Sequence, residues 1–593
     1  MKLRKELDEI SEIIDKIVQW VCIVLTFMMF ISVTFQVFGR YVTRSTIAWT
    51  EETSRYCMIW LAFLGSSTLV RRWENSSVTF LVNKLPRKGQ KIAGIIHVAI
   101  MLAFMLTIFV ISCKEVPRFS MMETSPALRI SMFIPKSSIP FVSGIISSGS
   151  WRTVFSDSRR MKPMGEFALA MVILIGTILL GIPISYAMGI TGLTYILMTN
   201  PSYIVVIPNR LYEGINQFQL LAIPFFLLAS DIMVNADISG KLFRLVKLFV
   251  GRFRGGLAFV NVIVSMIFGS ISGTALGDIA SLGPIEMNEM DKEGYDKNFS
   301  CALTCASSLE SPLIPPSNIA VLYASVMSLS VGALFLAGVI PGIMLGGSQI
   351  LYIISIRDRM NFPRSLEKRT KKQILRIVID GLVTMGMPFI IIGGVLGGVF
   401  TATESANIAC LYALFLGVIA YRNYHLNDFL FALGGIARQM ANIFLIISFS
   451  SVFAWVMGKE KVPEAIAAFM LSISDNKYLL LLMVNIFLLI VGMWMDTGAA
   501  IILFAPILAP IMYKVGIAPV HFAVIMLLNL TIGLVTPPVG VVLYAGAAVG
   551  KRKFEDVVKA LVPFMILAIL VLAIVCFVPQ TATWLPTISG FLD

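Results

Sequence analysis

The chain has 593 residues, 57% hydrophobic and 14% charged, with a mean hydropathy of +0.86. A soluble domain carries roughly 25% charged residues, so composition alone excludes an ordinary soluble enzyme. The net charge of +13 does not point to nucleic acid. Its basic residues gather in short runs between apolar segments, as expected of cytoplasmic loops in a membrane protein.

Taken in chain order, an amphipathic start, Lys2–Lys16, leads into the first apolar run without a small-residue cleavage site. That run is expected to stay as a membrane anchor. Spans need about 20 apolar residues. Clear candidates are Trp20–Phe38, Tyr56–Val70, Ile92–Ile111, Glu166–Leu180, Gly381–Phe400, Tyr478–Trp494, Pro519–Val535 and Ala560–Phe577. With the shorter runs between them, on the order of 15 membrane segments are expected, some of them hairpins that do not cross. Residues 1–150 hold four apolar segments, the fourth weak, with both ends placed in the cytoplasm by loop charge. A polar joint follows at 151–164, and a larger unit runs over 165–593. Its basic loops, Arg357–Arg376 with eight Lys/Arg and Lys551–Lys553, read as cytoplasmic. The tail Pro579–Asp593 has no Lys or Arg and reads as external. Arg55 with Glu51 and Glu52, at the start of the second segment, is expected to form a charge network between the two parts.

The larger unit contains an internal duplication, Val260–Tyr323 and Val484–Tyr544. Each copy starts with Val-Asn and closes with Pro-Pro followed by Leu-Tyr. Pro284 to Gly294 and Pro506 to Gly516 are both ten residues; Gly294 to Pro315 and Gly516 to Pro537 are both 21. Helix breakers at matching places in two repeats are the sequence pointer to a secondary transporter. Gly269–Asp278 and Gly492–Ala499 read as tips of re-entrant hairpins. Their partners, Ser307–Ser317 and Leu530–Gly540, carry the prolines. Proline frees the carbonyl one turn back, so such breaks offer hard oxygen ligands to a cation. Half-helix N-termini facing the same gap attract an anion. Ordinary packing kinks are the alternative for any single break.

Charges inside apolar stretches are costly and point to function. Asp278, Glu310, Glu404 and Asp496 qualify. Asp496, in the second tip, is the natural ion ligand or its close support. Asp278 and Glu404 serve either function or backbone capping, and Glu310 would repel an anion placed beside it. The seven cysteines (22, 57, 113, 301, 305, 410, 576) make no C-x-x-C, and His97, His425 and His521 are far apart in sequence. Neither a disulfide framework nor a zinc site is indicated. The phosphate-binding G-x-x-x-x-G-K-[ST], H-E-x-x-H and G-x-S-x-G patterns are all missing. The chain is therefore expected not to be an enzyme, and its energy must come from an ion gradient or a partner.

At these residues the chain resembles the fused membrane subunits of a tripartite ATP-independent periplasmic (TRAP) transporter, most like the sialic-acid members. Trp49–Arg55 carries the weak match to the small subunit. Ala222–Phe226, Gly269–Asp278, Ala306–Ser308, Ile314–Ser317, Phe400–Ala406 and Asn529–Gly540 carry the specific match to the large one. The resemblance implies an all-α polytopic membrane protein in the bacterial inner membrane. It also implies two inverted repeats with re-entrant hairpins in an elevator-type carrier, plus a four-helix accessory unit. Sodium coupling and delivery of a small carboxylated substrate by a periplasmic binding protein follow from it, with N-acetylneuraminate the leading substrate and four-carbon dicarboxylates or sugar acids the alternatives. A stand-alone sodium-coupled anion carrier, a channel and an intramembrane protease are the rival readings. By matched position, one sodium falls among Ser270, Ser272, Gly273, Thr274 and Pro315. A second falls among Asp496, Thr497, Gly498, Gly533 and Thr536. Substrate falls to Ser307, Ser308, Ser311, Pro316 and Thr536. Glu310 stands where the family usually has an apolar or small residue.

Overall fold

The computed structural model describes residues 2–45, 47–72, 82, 86–121, 123–148, 166–364, 369–474, 476–538 and 540–592. The expected joint at 151–164 lies outside the described residues. Among the described residues every regular element is a helix, with one isolated bridge pairing Thr124 and Ser131. Ten helices are long and apolar enough to cross a membrane, and six shorter apolar ones accompany them.

The backbone divides into two compact units. One comprises 1–221 and 430–462. Helices Lys2–Phe38, Ala48–Arg72, Arg87–Ser120 and Ser138–Ser148 supply the four early segments. The first packs along the second, and the fourth along the third. They do not stand alone. Phe104 of the third helix meets Tyr186 and Phe449, with ring centroids 6.3 and 5.3 Å away. Gly65 backs onto Ala441 and Gly189 onto Phe104 and Phe449, where any side chain would collide. Helix Ile184–Thr199 and the body of helix Leu426–Lys459 therefore belong to the same core.

The charged cluster at the start of the second helix splits. Arg55 donates to Asn216 at 3.1 Å and lies 3.6 Å from Glu51, tying the early helices to the turn after Val206–Ile215. Glu52 instead turns inward and accepts the backbone N–H groups of Ala127 and Leu128 at 3.0 and 2.8 Å. It organises its own helical group, because two unpaired loop donors there need an acceptor.

The other unit comprises 222–429 and 463–593. Its most apolar span, Phe554–Phe577, leaves Ile566, Ile569, Leu570, Ile574 and Phe577 exposed, as a lipid-facing stripe requires. Glu404, left open between function and capping, caps a helix. Its carboxylate accepts Thr401 N–H at 2.9 Å while Thr401 Oγ1 accepts Glu404 N–H at 3.3 Å, closing a capping box at the start of Ala402–Leu414.

Candidate functional site

The duplicated segments form nine α-helices of this second unit, one of which, Gly283–Lys292, follows the second helix of the first copy. The first copy supplies α1 (Gly256–Ser272), α2 (Ala275–Ser281), α3 (Lys297–Ser307) and α4 (Asn318–Met327). The second supplies α5 (Lys477–Trp494), α6 (Thr497–Lys514), α7 (Pro519–Gly533) and α8 (Val541–Val549). Helix α2 packs on α8 and α4 packs on α6. Exchanging the copies turns one contact into the other, which is the relation a pseudo-two-fold axis between repeats produces.

Each copy breaks twice, at the places the sequence marks. Helix α1 ends because Gly273 adopts φ +62°, the left-handed region open to glycine, and its N–H returns to Gly269 O at 2.9 Å. Thr274 then caps α2 by accepting Gly277 N–H at 3.1 Å. A Cβ on Gly273 would lie 2.9 Å from Pro316 O, so the tip abuts the second break directly. That break runs from Ser308 to Ser317, and the Pro315–Pro316 bond within it is cis. Ser317 restarts the chain as α4 by accepting Ala320 N–H at 3.1 Å. Asn318 donates to Ser272 O at 3.2 Å, bonding one break to the other, and its buried Oδ1 has no hydrogen-bond partner.

In the second copy α5 ends at Trp494, and Asp496 caps α6. Its Oδ2 accepts the N–H groups of Gly498 and Ala499 at 2.9 and 3.4 Å, and Asp496 itself stays exposed. Thr497 is buried, and its Oγ1 has no partner. Gly492 and Gly533 pack backbone to backbone: a Cβ on Gly533 would fall 2.6 Å from Gly492 Cα. Thr536 lies in the break after α7, with its hydroxyl on Ile532 O at 2.8 Å, and Pro537–Pro538 is also cis. Leu322 of α4 lies against the Gly498 position.

The structure thus brings Ser272, Gly273, Thr274, Pro315 and Pro316 into one break pair. Asp496, Thr497, Gly498, Gly533 and Thr536 line the matching pair in the second copy. Ser270 lies within α1, but its side chain is outside the described residues. Ser307, Ser308 and Ser311 are fully buried. Ser307 donates to Asn261 Oδ1 at 2.8 Å and Ser308 to Cys305 O at 2.9 Å. Asn318 was missed by sequence reasoning, although an amide one residue after Pro-Pro-Ser was a legible signal. The neutral oxygens gathered here, including the unpartnered Asn318 Oδ1 and Thr497 Oγ1, suit a hard monovalent cation. The capped starts of α4 and α6 add the positive ends of helix dipoles.

Comparison with known proteins decides the class. Residues 171–581 match the tripartite ATP-independent periplasmic transporter family, DctM component, and residues 29–160 match the DctQ component. The chain belongs to the TRAP transporter family. An isethionate TRAP transporter permease protein, DctMQ, of Oleidesulfovibrio alaskensis is 30% identical over 92% of this chain and 91% of its own length. The sialic acid TRAP transporter large permease protein SiaM of Vibrio cholerae is 35% identical over 70% of this chain and 96% of its own. An uncharacterized Salmonella typhimurium protein, YgiK, is 39% identical over 71% of this chain and 98% of its own. As a TRAP permease carrying both components, the chain is an inner-membrane transport protein rather than an enzyme, and it works with a periplasmic binding protein.

Proposed function

We propose that this TRAP permease drives sodium-coupled uptake of a small organic acid handed over by its binding protein. Residues 1–150 act as the small-subunit-like part, 151–164 as the joint, and 165–593 as the part that carries substrate by an elevator-type alternating-access movement. The observation that carries the reading is the pair of matched breaks in the two repeats. Each puts neutral oxygens beside a capped helix start, an arrangement suited to a cation on one side and a carboxylate on the other. One sodium is assigned to Ser272, Gly273, Thr274 and Pro315, with Asn318 added as a side-chain ligand. The other is assigned to Asp496, Thr497, Gly498, Gly533 and Thr536. Pro316, Thr536 and the buried Ser307, Ser308 and Ser311 form the wall for the substrate.

N-acetylneuraminate is the leading substrate, supported by the sialic acid carrier among the relatives. The isethionate carrier, which also has both components in one chain, makes a sulfonate the second substrate to test. Uptake of labelled N-acetylneuraminate and isethionate into proteoliposomes, with and without a sodium gradient and the binding protein, tests the reading. Accumulation of one acid that needs both sodium and the binding protein supports it. Accumulation of either acid that is indifferent to sodium sinks the coupling, and accumulation without the binding protein sinks the tripartite mechanism for this chain.

A further inference from the structure

Helix Leu426–Lys459, in the unit that holds the early segments, carries an arginine about three turns in from its start, Arg438. A charge inside an apolar span is costly unless a partner is at hand. Among the described residues Arg438 takes part in no ion pair, and its one hydrogen bond is long, from Nε to Gly434 O at 3.4 Å. The terminal N–H groups of the guanidinium are left without a protein acceptor among those residues.

Arg438 lines a groove of about 150 Å³ built where three helices meet. Helix Lys2–Phe38 contributes Gln19, Ala48–Arg72 contributes Thr68, and Leu426–Lys459 contributes Phe431, Gly434 and Arg438; the rest of the lining is apolar or small. Arg438 is the charged residue of this lining. Asp15, one turn before Gln19, is engaged by that residue's amide, whose Nε2 donates to Asp15 Oδ2 at 2.7 Å. Thr68 donates its hydroxyl proton to Gly65 O at 2.8 Å, so donors for an anion come from Arg438 and Gln19.

The groove lies near the cytoplasmic end of these helices. Lys16 stands one turn before Gln19, where the first apolar run begins, and Ala48–Arg72 closes with Arg71-Arg72 one turn past Thr68. The third helix starts at the same end: Gly434 stands against Ile23, while Gly65, deeper than Thr68, backs onto Ala437 and Ala441. Side chains on a helix lean toward its N-terminus, and the bond to Gly434 shows Arg438 doing so, which brings its charge toward that face. Basic pockets between membrane helices on the cytoplasmic side suit anionic headgroups, and a guanidinium matches two phosphate oxygens at once. Phe431 and Leu426, at 78% and 72% exposure, continue the groove outward as apolar surface.

We propose that this groove binds an anionic phospholipid, phosphatidylglycerol, with its phosphate on the Arg438 guanidinium beside Gln19 and an acyl chain along Phe431. The unit that contains it holds none of the residues assigned to sodium or substrate, so its test involves no transport.

Native mass spectrometry of the full-length protein, released from nanodiscs of mixed phosphatidylglycerol and phosphatidylethanolamine, counts the lipid that stays bound. Wild type is expected to retain phosphatidylglycerol in preference. Arg438→Gln is expected to bind it roughly tenfold more weakly, the loss that follows from one charge-assisted contact. Gly434→Leu keeps the arginine and fills the groove instead; its Cβ would meet Ile23 Cδ1 at 3.4 Å, an ordinary contact, and it is expected to lose the lipid as well. If Arg438→Gln does not fold, Gly434→Leu carries the test. Phosphatidylglycerol added to lipid-depleted protein should raise the melting midpoint of wild type and of neither variant, and inorganic phosphate should leave it unchanged. Equal retention of the two lipids by wild type, or retention by both variants equal to that of wild type, overturns the proposal. So does a midpoint raised as much by inorganic phosphate, which would make the groove a site for a soluble anion.

Discussion

The two repeats share a backbone plan and differ in where they keep their polar groups. In the first, the tip is closed by Gly273 and Thr274, which carry no charge, and the carboxyls lie deeper, at Asp278, Glu286 and Glu310. In the second, the single acid Asp496 sits at the tip itself as the cap of α6, and the interior below is joined by an amide pair, Asn529 donating to Asn485 Oδ1 at 2.7 Å. A duplicated scaffold therefore fixes where helices break, while side-chain chemistry decides what each break can hold. The first copy keeps its acids below a tip of neutral residues; the second places its acid at the tip.

The sharpest way to break the second repeat alone is at its backbone contact. Gly533→Val would drive a side chain into Gly492 and is expected to cost roughly 3 kcal/mol or more. Thermal melts in detergent should show a fall of many degrees, together with loss of uptake. A comparable melt to wild type would mean that α5 and α7 separate more easily than their packing suggests.

The next effect compares the two caps. Asp496→Ala removes an N-cap that is also a proposed ion ligand, and Thr274→Ala removes a neutral cap. Each is expected to lose about 1 kcal/mol of stability from the cap. Asp496→Ala should in addition abolish sodium-dependent uptake, while Thr274→Ala should mainly weaken the dependence on sodium concentration. Equal sodium dependence in both variants and wild type would remove the sodium assignments from the two tips.

The smallest effect lies in the other unit and serves as a reference for titration. Burial works against ionisation of Glu52, but the N–H groups of Leu128 and Ala127, Ser125 and the charge of Arg55 outweigh it and hold the carboxyl below its usual range. Its contribution is thus present above about pH 4 and is lost as pH falls through the lower folded-state value. Acid titration of the melting midpoint should show wild type losing more stability than Glu52→Gln below about pH 4.

Much of this was written locally. Apolar runs such as Tyr478–Trp494 and Pro519–Val535 became helices within a residue or two, because span length and hydropathy are local properties. The breaks at Gly273 and Asp496 were legible for the same reason: a left-handed glycine, a cap residue and a proline act on their own neighbours. Repeat spacing announced that the breaks come in matched pairs.

What lay beyond the sequence was which groups meet across the chain. Glu404 and Glu52 both stood out as acids, yet one caps its own helix and the other holds a distant loop. Only the packing of α1 against Gly283–Lys292 reveals Glu286 as a fully buried carboxyl bonded to Asn261. The break between 150 and 165 suggested a boundary, whereas helices 184–199 and 426–459 share a core with the early segments. Hydropathy and helix breakers are set by each residue and its near neighbours; burial and pairing depend on contacts between residues far apart in sequence, and only the tertiary structure decides those.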